Sequence, residues 1–237
     1  MNVALILSGG TGLRLGAKIP KQYIEVGDRP IISYCIETLS AHEQIDAIQI
    51  VADETWQDAI REWLKAADTE KKCRGFSMPG ATRQLSIWQG LTDLRAYAGD
   101  LGYVLIHDAA RPLLTGRQIS ECLQGVVGHD GLMPVLPMKD TVYESRDGGH
   151  SVAGLLDRSA IYAGQAPEVF QIGMYYQAIQ RLLPDQIRGI NGSTEPAILA
   201  GMDIAMIPGD EGNFKITTQA DLERFEKIIK ERGVRAG

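Results

Sequence analysis

Apolar residues recur along this chain in two alternating rhythms. Residues 2–7 form a run of the kind expected of a strand covered on both faces. Residues 46–52 and 103–106 read the same way, and 132–136 more weakly. Between them the spacing becomes helical. Trp56, Ile60, Trp63 and Leu64 share one face of a helix over 54–67, and Leu85, Trp88, Leu91 and Leu94 do so over 82–96. A last helix carries Leu222, Phe225, Ile228 and Ile229 as its core stripe, behind Thr218 and Asp221 at capping-box spacing. Strand–helix alternation of this kind predicts an α/β fold, a mainly parallel twisted sheet with helices on both faces. In such sheets ligands gather beyond the carboxyl ends of the strands, so chemistry is expected just after residues 7, 52, 106 and 136.

One stretch breaks the alternation. Residues 141–155 read as two short extended runs around Asp147-Gly148, a hairpin signal. A hairpin with so few apolar residues is not stable alone in water and needs something to pack on, for which a partner subunit is a candidate. No repeat or linker interrupts the chain. The expected organisation is a single domain over 1–237 with a projecting arm over 141–158.

Composition narrows the function. With 237 residues, 44% hydrophobic and 23% charged, this is an ordinary globular chain. A formal charge of −6, with no block of basic residues, disfavours a general nucleic-acid binder. No window approaches a membrane span, and the amino terminus lacks the cationic lead of a signal peptide. Cys35, Cys73 and Cys122 are far apart, which argues against a disulfide framework or structural zinc. The expected compartment is the cytoplasm.

The 26 glycines become informative just after the first strand, in Ser8-Gly9-Gly10-Thr11-Gly12-Leu13-Arg14-Leu15-Gly16. A glycine-rich loop there lets backbone N–H groups approach an anion. The P-loop spacing is absent, and Gly10, Gly12 and Gly16 are one residue too widely spaced for the dinucleotide fingerprint. What remains is a glycine cradle with its own cations, Arg14 and Lys21, the latter stiffened by Pro20. Such a loop suits a triphosphate; the competing reading is a flexible turn with solvated charges.

These residues, with Ile19-Pro20-Lys21-Gln22-Tyr23 after them, resemble the signature of the cytidylyltransferases that act on methylerythritol phosphate and ribitol phosphate. Further motifs follow in family order. They are Pro79-Gly80-Ala81-Thr82-Arg83 leading to Ser86, His107-Asp108-Ala109-Ala110-Arg111-Pro112, Lys139-Asp140-Thr141 and Asp157-Arg158, then Gln165-Ala166-Pro167-Glu168-Val169-Phe170 and Asn213-Phe214-Lys215-Ile216-Thr217. The resemblance spans nearly the whole chain. It implies a Rossmann-like fold of the nucleotide-diphospho-sugar transferase type with a β-hairpin dimerisation arm. It also implies a homodimer and a reaction that joins CTP to a polyol phosphate, releasing pyrophosphate. The product would be a CDP-alditol for cell-wall or capsule polymers, or an intermediate of isoprenoid synthesis.

The resemblance assigns roles as well. Arg14, Lys21 and Lys215 would be catalytic, neutralising the triphosphate and the transition state. Ser8, Gly9, Gly10, Thr11, Gly12, Gly80, Ala81, Arg83, Ser86 and Asp108 would bind the nucleotide. Asp108, Thr141, Arg158, Ala166 and Lys215 would face the acceptor, and Asp108 would hold Mg²⁺. Blander readings stand beside these: a snorkelling surface lysine at 215, an N-cap at Asp108 or its salt bridge to Arg111, a local pair of Asp157 with Arg158, and a packed, hydrogen-bonded His107.

The acceptor side departs from the family pattern. Thr-Pro-Gln is replaced by Ala166-Pro167-Glu168, and the Thr-Asp-acidic-Ala-Ser segment by Asn191-Gly192-Ser193-Thr194-Glu195. The usual acidic residue after Gly80 is Ala81. Gly9-Gly10 and Tyr162–Gln165 look nearer the ribitol phosphate branch, whereas His107–Pro112 and Asp140-Thr141 look nearer the methylerythritol branch. The expected acceptor is ribitol-like, with methylerythritol phosphate as the alternative. A nucleotide-sugar glycosyltransferase is disfavoured because no Asp-x-Asp occurs. A non-catalytic nucleotide sensor or assembly subunit is disfavoured by the presence of all three of Arg14, Lys21 and Lys215.

Overall fold

The computed structural model describes residues 1–10 and 19–235. Strand β1 is Asn2–Leu7, followed by the two-residue strands β2 (Glu25–Val26) and β3 (Arg29–Pro30) and by helix α1 (Ile31–Ala41). Then come β4 (Ala47–Val51), α2 (Glu54–Ala67), β5 (Cys73–Ser77), α3 (Arg83–Ala98), β6 (Tyr103–Asp108) and α4 (Gly116–Gly125). The second half runs β7 (Gly131–Pro137), β8 (Tyr143–Glu144), β9 (Gly154–Leu155), β10 (Tyr162–Gly164), β11 (Glu168–Gln171), α5 (Ile172–Gln180), α6 (Glu195–Leu199), β12 (Ile204–Pro208) and α7 (Gln219–Arg235).

Eight strands form one sheet in the order β10-β7-β11-β6-β1-β4-β5, with β12 pairing β7. β1 lies parallel between β4 and β6, and β4 is parallel to β5. β11 runs antiparallel to both β6 and β7, β10 antiparallel to β7, and β12 parallel to β7. The sheet is therefore mixed but mainly parallel. The central strands read as apolar runs because helices cover both their faces. Ala4, Ile6, Ile48 and Ile50 pack in one cluster with α1, α2 and α4, and Val3, Leu5, Val104 and Ile106 in another with α3 and α5. The three thiols are free, as their spacing suggests.

Helix starts follow the chemistry legible in the chain. Thr82 caps α3 by accepting from the Leu85 N–H at 3.2 Å. At α7 the Asp221 N–H donates to Thr218 Oγ1 at 3.2 Å and the Thr218 N–H to Asp221 Oδ2 at 2.8 Å, closing the expected capping box. Burial pushes the Asp221 carboxyl up, but these and the Thr217 hydrogen bonds outweigh it and hold it at about 2.

One feature differs from expectation. The arm pairs through only two residues on each side, Tyr143 with Leu155 and Glu144 with Gly154. Its tip is no tight Asp-Gly turn but a wider loop. Asp147 organises that loop, accepting from the backbone of His150 and Ser151 and from the hydroxyls of Ser145 and Ser151. At the far edge of the sheet, β5 carries an irregularity: Ile48 faces Cys73 while Gln49 faces Gly75, leaving Arg74 as an extra, exposed residue. No helix among the described residues is long and apolar enough to cross a membrane.

Candidate active site

The carboxyl ends of β1, β5 and β6 carry the residues singled out above. After β1, the Ser8 hydroxyl donates to the Tyr23 hydroxyl at 2.8 Å, and the Ser8 backbone is held by Val51. Gly9 backs so closely onto Pro79 that a Cβ would collide with its ring, so the Ser8–Gly10 segment and the Pro79-Gly80 loop sit against each other. Gly80 in turn abuts Leu85 and the Ser86 backbone, where any side chain would clash. Gly10 faces open space. Thr11, Gly12 and Arg14 lie outside the described residues.

Lys21 is half-buried on a single 3-10 turn, Lys21–Tyr23. The next two residues lock that turn to the loop. Gln22 donates from Nε2 to the Ser8 carbonyl at 2.7 Å and the Gly10 carbonyl at 2.8 Å. Tyr23 stacks on Trp56 at 4.4 Å between ring centres. Gln22 and Tyr23 were quoted in the motif without a role. Their spacing from Ser8 and Gly10 gives no hint of the contact, and the one available signal was the Pro20 stop beside them.

At the end of β6 stands Asp108, the centre of a partly buried ionic cluster. Lys215 donates from Nζ to its Oδ2 at 3.0 Å, and Arg111 Nε lies 3.6 Å from the same oxygen. Arg83 donates to Oδ1 from Nη2 at 3.2 Å and Nε at 3.4 Å. Burial alone would push the Asp108 carboxyl up; Arg83, Lys215 and Arg111 outweigh it and hold it well below the usual carboxylate range. The salt bridge to Arg111 therefore exists alongside the others. Lys215 is not a solvated surface lysine.

Two ties place Lys215 there. The Ile216 N–H donates to the Ala110 carbonyl at 2.9 Å, and the Arg111 guanidinium donates to the Asn213 carbonyl at 2.7 Å. Asn213, almost fully buried, also donates to the Ala166 carbonyl at 2.8 Å. His107 is a packed residue, as its blander reading had it. Its Nε2 lies 2.9 Å from the Arg111 carbonyl, which can only accept, and burial lowers its pKa to about 4.

Other assignments fall further out. The Ser86 hydroxyl accepts from the Gly80 N–H at 3.0 Å and donates to the Thr82 carbonyl at 3.0 Å, so it shapes the Gly80-Ala81 loop. Thr141 and Arg158 are exposed at the base of the arm. Arg158 donates to the Lys139 carbonyl at 2.6 Å and does not pair with Asp157, whose carboxylate turns to Ser159 instead. Among the described residues neither Thr141 nor Arg158 bonds to the Asp108 cluster. Ala166 is buried on the connection into β11.

The two acceptor-side departures meet in space. Arg83 Nη2 lies 3.7 Å from Glu168 Oε2, and Arg83 Nη1 donates to the Ser193 hydroxyl. The Thr194 hydroxyl donates to Glu168 Oε1 at 2.9 Å. Glu168 was quoted only as a departure, with no role. Its burial follows from β11 lying between β6 and β7, which the sequence pattern did not reveal.

A divalent cation fits one feature of this arrangement. Mg²⁺ is commonly held by one or two carboxylates together with substrate phosphates and water. Asp108 is an ionised carboxylate at a strand end, and no cluster of three or more His, Cys, Asp or Glu among the described residues offers a fuller cage.

Comparison with known proteins adds the following. Residues 2–231 match the family model described as "IspD: 2-C-methyl-D-erythritol 4-phosphate cytidylyltransferase". A bifunctional enzyme IspD/IspF of Granulibacter bethesdensis is 36% identical over 95% of this chain and 56% of its own length. A ribitol-5-phosphate cytidylyltransferase of Lactiplantibacillus plantarum is 30% identical over 98% of this chain and 100% of its own. A 2-C-methyl-D-erythritol 4-phosphate cytidylyltransferase of Syntrophotalea carbinolica is 34% identical over 97% and 96%. The chain thus spans about half the length of the bifunctional relatives and essentially all of the single-function ones. Among solved structures, 4-diphosphocytidyl-2C-methyl-D-erythritol synthase of Anaerococcus prevotii superposes with a TM-score of 0.83 at 24% identity, covering 97% of this chain and 96% of that one, which supports the fold.

Proposed function

This chain belongs to the 2-C-methyl-D-erythritol 4-phosphate cytidylyltransferase family, and on that premise we propose that it transfers CMP from CTP to a polyol phosphate. The products are a CDP-polyol and pyrophosphate. The observation that carries the reading is the junction of Asp108, Lys215 and Arg83 at the end of β6, next to the glycine loop that follows β1.

The chemistry fits that junction. A phosphate monoester has a second pKa of about 6, so the attacking oxygen is anionic at neutral pH and no base is required. Its bond to the α-phosphorus forms as the bond to the pyrophosphate oxygen breaks. Two anions must meet, and fixed cations are the means of letting them. Lys215, kept oriented by Asp108, is assigned to the α-phosphate, and Arg14 and Lys21 to the triphosphate. Asp108 is the residue that would hold Mg²⁺, which when bound supplies further neutralisation of the phosphates. Ser8, Gly9, Gly10, Gly80, Ala81 and Ser86 form the nucleotide side, and Arg83 reaches from it across to Glu168 and Ser193. Thr141, Arg158 and Ala166 belong to the acceptor side.

The favoured acceptor is D-ribitol 5-phosphate or a related alditol phosphate, supported by Gly9-Gly10 and Tyr162–Gln165. The second reading, 2-C-methyl-D-erythritol 4-phosphate, is supported by His107–Pro112 and Asp140-Thr141. Pyrophosphate release with CTP and Mg²⁺ separates them in a panel of ribitol 5-phosphate, methylerythritol 4-phosphate, glycerol 3-phosphate and a sugar 1-phosphate. Release with ribitol 5-phosphate alone is the expected result. Release with methylerythritol 4-phosphate alone reverses the acceptor, and loss of CTP binding altogether overturns the reaction.

The active form is a homodimer assembled through the arm, whose Tyr143, Val152 and Leu155 leave much apolar surface to water. Sedimentation at micromolar concentration is expected to show a dimer, and truncating the arm to Gly-Ser should return a monomer. A full-length monomer would overturn this.

A further inference from the structure

We infer that Glu168 is a positioning residue for the acceptor half of the site, acting through Arg83, and that Glu168 and Thr194 form one unit that holds a single negative charge beside Arg83. The inference rests on the proposed reaction for its kinetic meaning.

The cluster contains three cations, Arg83, Arg111 and Lys215, and two carboxylates, Asp108 and Glu168. Asp108 touches all three cations, whereas Glu168 touches Arg83 alone. Glu168 therefore shares the charge of Arg83 and leaves Asp108 Oδ2 to Lys215 and Arg111. Without it, one carboxylate would serve three cations, and Arg83 would be drawn onto the group that orients Lys215.

The geometry also says which half of the site depends on this brace. The glycine loop and the Gly80 loop follow β1 and β5, on one side of the sheet order. β6, β11 and β7 lie on the other, with Asp108 at the boundary. Arg83 spans that boundary. It reaches from the first turn of α3 to Asp108, to Glu168 on β11, and to Ser193 in the turn before α6. That turn is pinned independently by the Tyr175 hydroxyl, which donates to the Ser193 carbonyl at 2.6 Å. A guanidinium with its donors engaged on three elements is a strut. Releasing one contact frees the β11–α6 wall while the glycine loop keeps its Gln22 and Tyr23 anchors.

The Glu168–Thr194 hydrogen bond supplies a direct test, because its charge can be moved to the other partner. In the native protein the Thr194 hydroxyl donates to the carboxylate on β11. In E168Q/T194D the amide on β11 would donate to a carboxylate carried by the turn, restoring one negative charge beside Arg83. E168Q alone removes that charge, and T194D alone sets two carboxylates against each other.

Steady-state kinetics of E168Q, T194D and the double variant against the native protein read the effect. E168Q is expected to raise KM for the acceptor at least tenfold, with KM for CTP within twofold. T194D should behave similarly, and the double variant should return to within about threefold of native. Equal rises in both KM values, or a double variant no better than either single while still folded, would overturn the inference. Thermal unfolding of the same four proteins needs no substrate, and there the double variant should melt above both singles. Additive melting overturns the unit. A native protein silent with every acceptor, yet showing the coupled melting, defeats the reaction and with it the kinetic role, but not the pairing.

Discussion

Lys215→Ala is expected to lower kcat for pyrophosphate release by about 10²- to 10³-fold, the usual consequence of removing one preorganised group from a site where charge develops. KM for CTP should move much less. The reason lies in how the ammonium is held. Asp108 fixes it at 3.0 Å, and the Ile216–Ala110 and Arg111–Asn213 hydrogen bonds fix the backbone on either side. A cation already oriented needs no reorganisation as the reacting phosphorus gains charge, so its worth appears in turnover more than in ground-state binding. Lys215→Arg should recover little, because a planar fork cannot take the place of a point charge so held. Measurement at saturating CTP, Mg²⁺ and acceptor checks this, and a loss of tenfold or less would remove Lys215 from the catalytic set.

Asp108→Ala is expected to abolish turnover and also to destabilise the fold by about 3 kcal/mol. That is the low end of the range for breaking a buried ion pair, because Arg83 and Lys215 keep 31% and 36% of their side chains exposed to water. The cost arises from what is left behind, three neighbouring cations with one carboxylate between them. Urea unfolding compared with the native protein measures it. If Asp108→Ala were as stable as native, the cluster would be too well solvated to be the electrostatic centre of the site. The two substitutions are therefore distinguishable: Lys215→Ala leaves two cations with two carboxylates, whereas Asp108→Ala leaves three cations with one.

How much of this could be read in the chain varies by element, for physical reasons. The strands at 2–7, 46–52 and 103–106 were legible because burial on both faces demands unbroken apolar runs. Helix α2 matched its expected bounds because Trp56, Ile60, Trp63 and Leu64 have no other common face. The α7 capping box was legible because its partners are three residues apart. Strands β5 and β11 were not read, since Cys-Arg-Gly-Phe-Ser and Glu-Val-Phe-Gln are too short and mixed to show a period. The same limit applies to the site. Asp108 and Lys215 were picked out individually from the family resemblance, but their 3.0 Å contact joins positions 107 residues apart. Ala166-Pro167-Glu168 and Ser193-Thr194 were both read as acceptor-side departures, but nothing in the sequence showed that they touch. Gln22 was passed over because a side-chain amide bonded to backbone carbonyls leaves no pattern in sequence.

The irregularity in β5 bears on how the molecule behaves among its copies. An outermost strand offers unpaired backbone groups that a neighbouring chain can template upon, the usual route to runaway aggregation. Here the ladder is interrupted beside Gly75, and the extra residue is an exposed arginine. An incoming strand would meet a broken register and a cation to desolvate. The irregularity and the arginine thereby disfavour extension of the eight-stranded sheet by another chain at that margin.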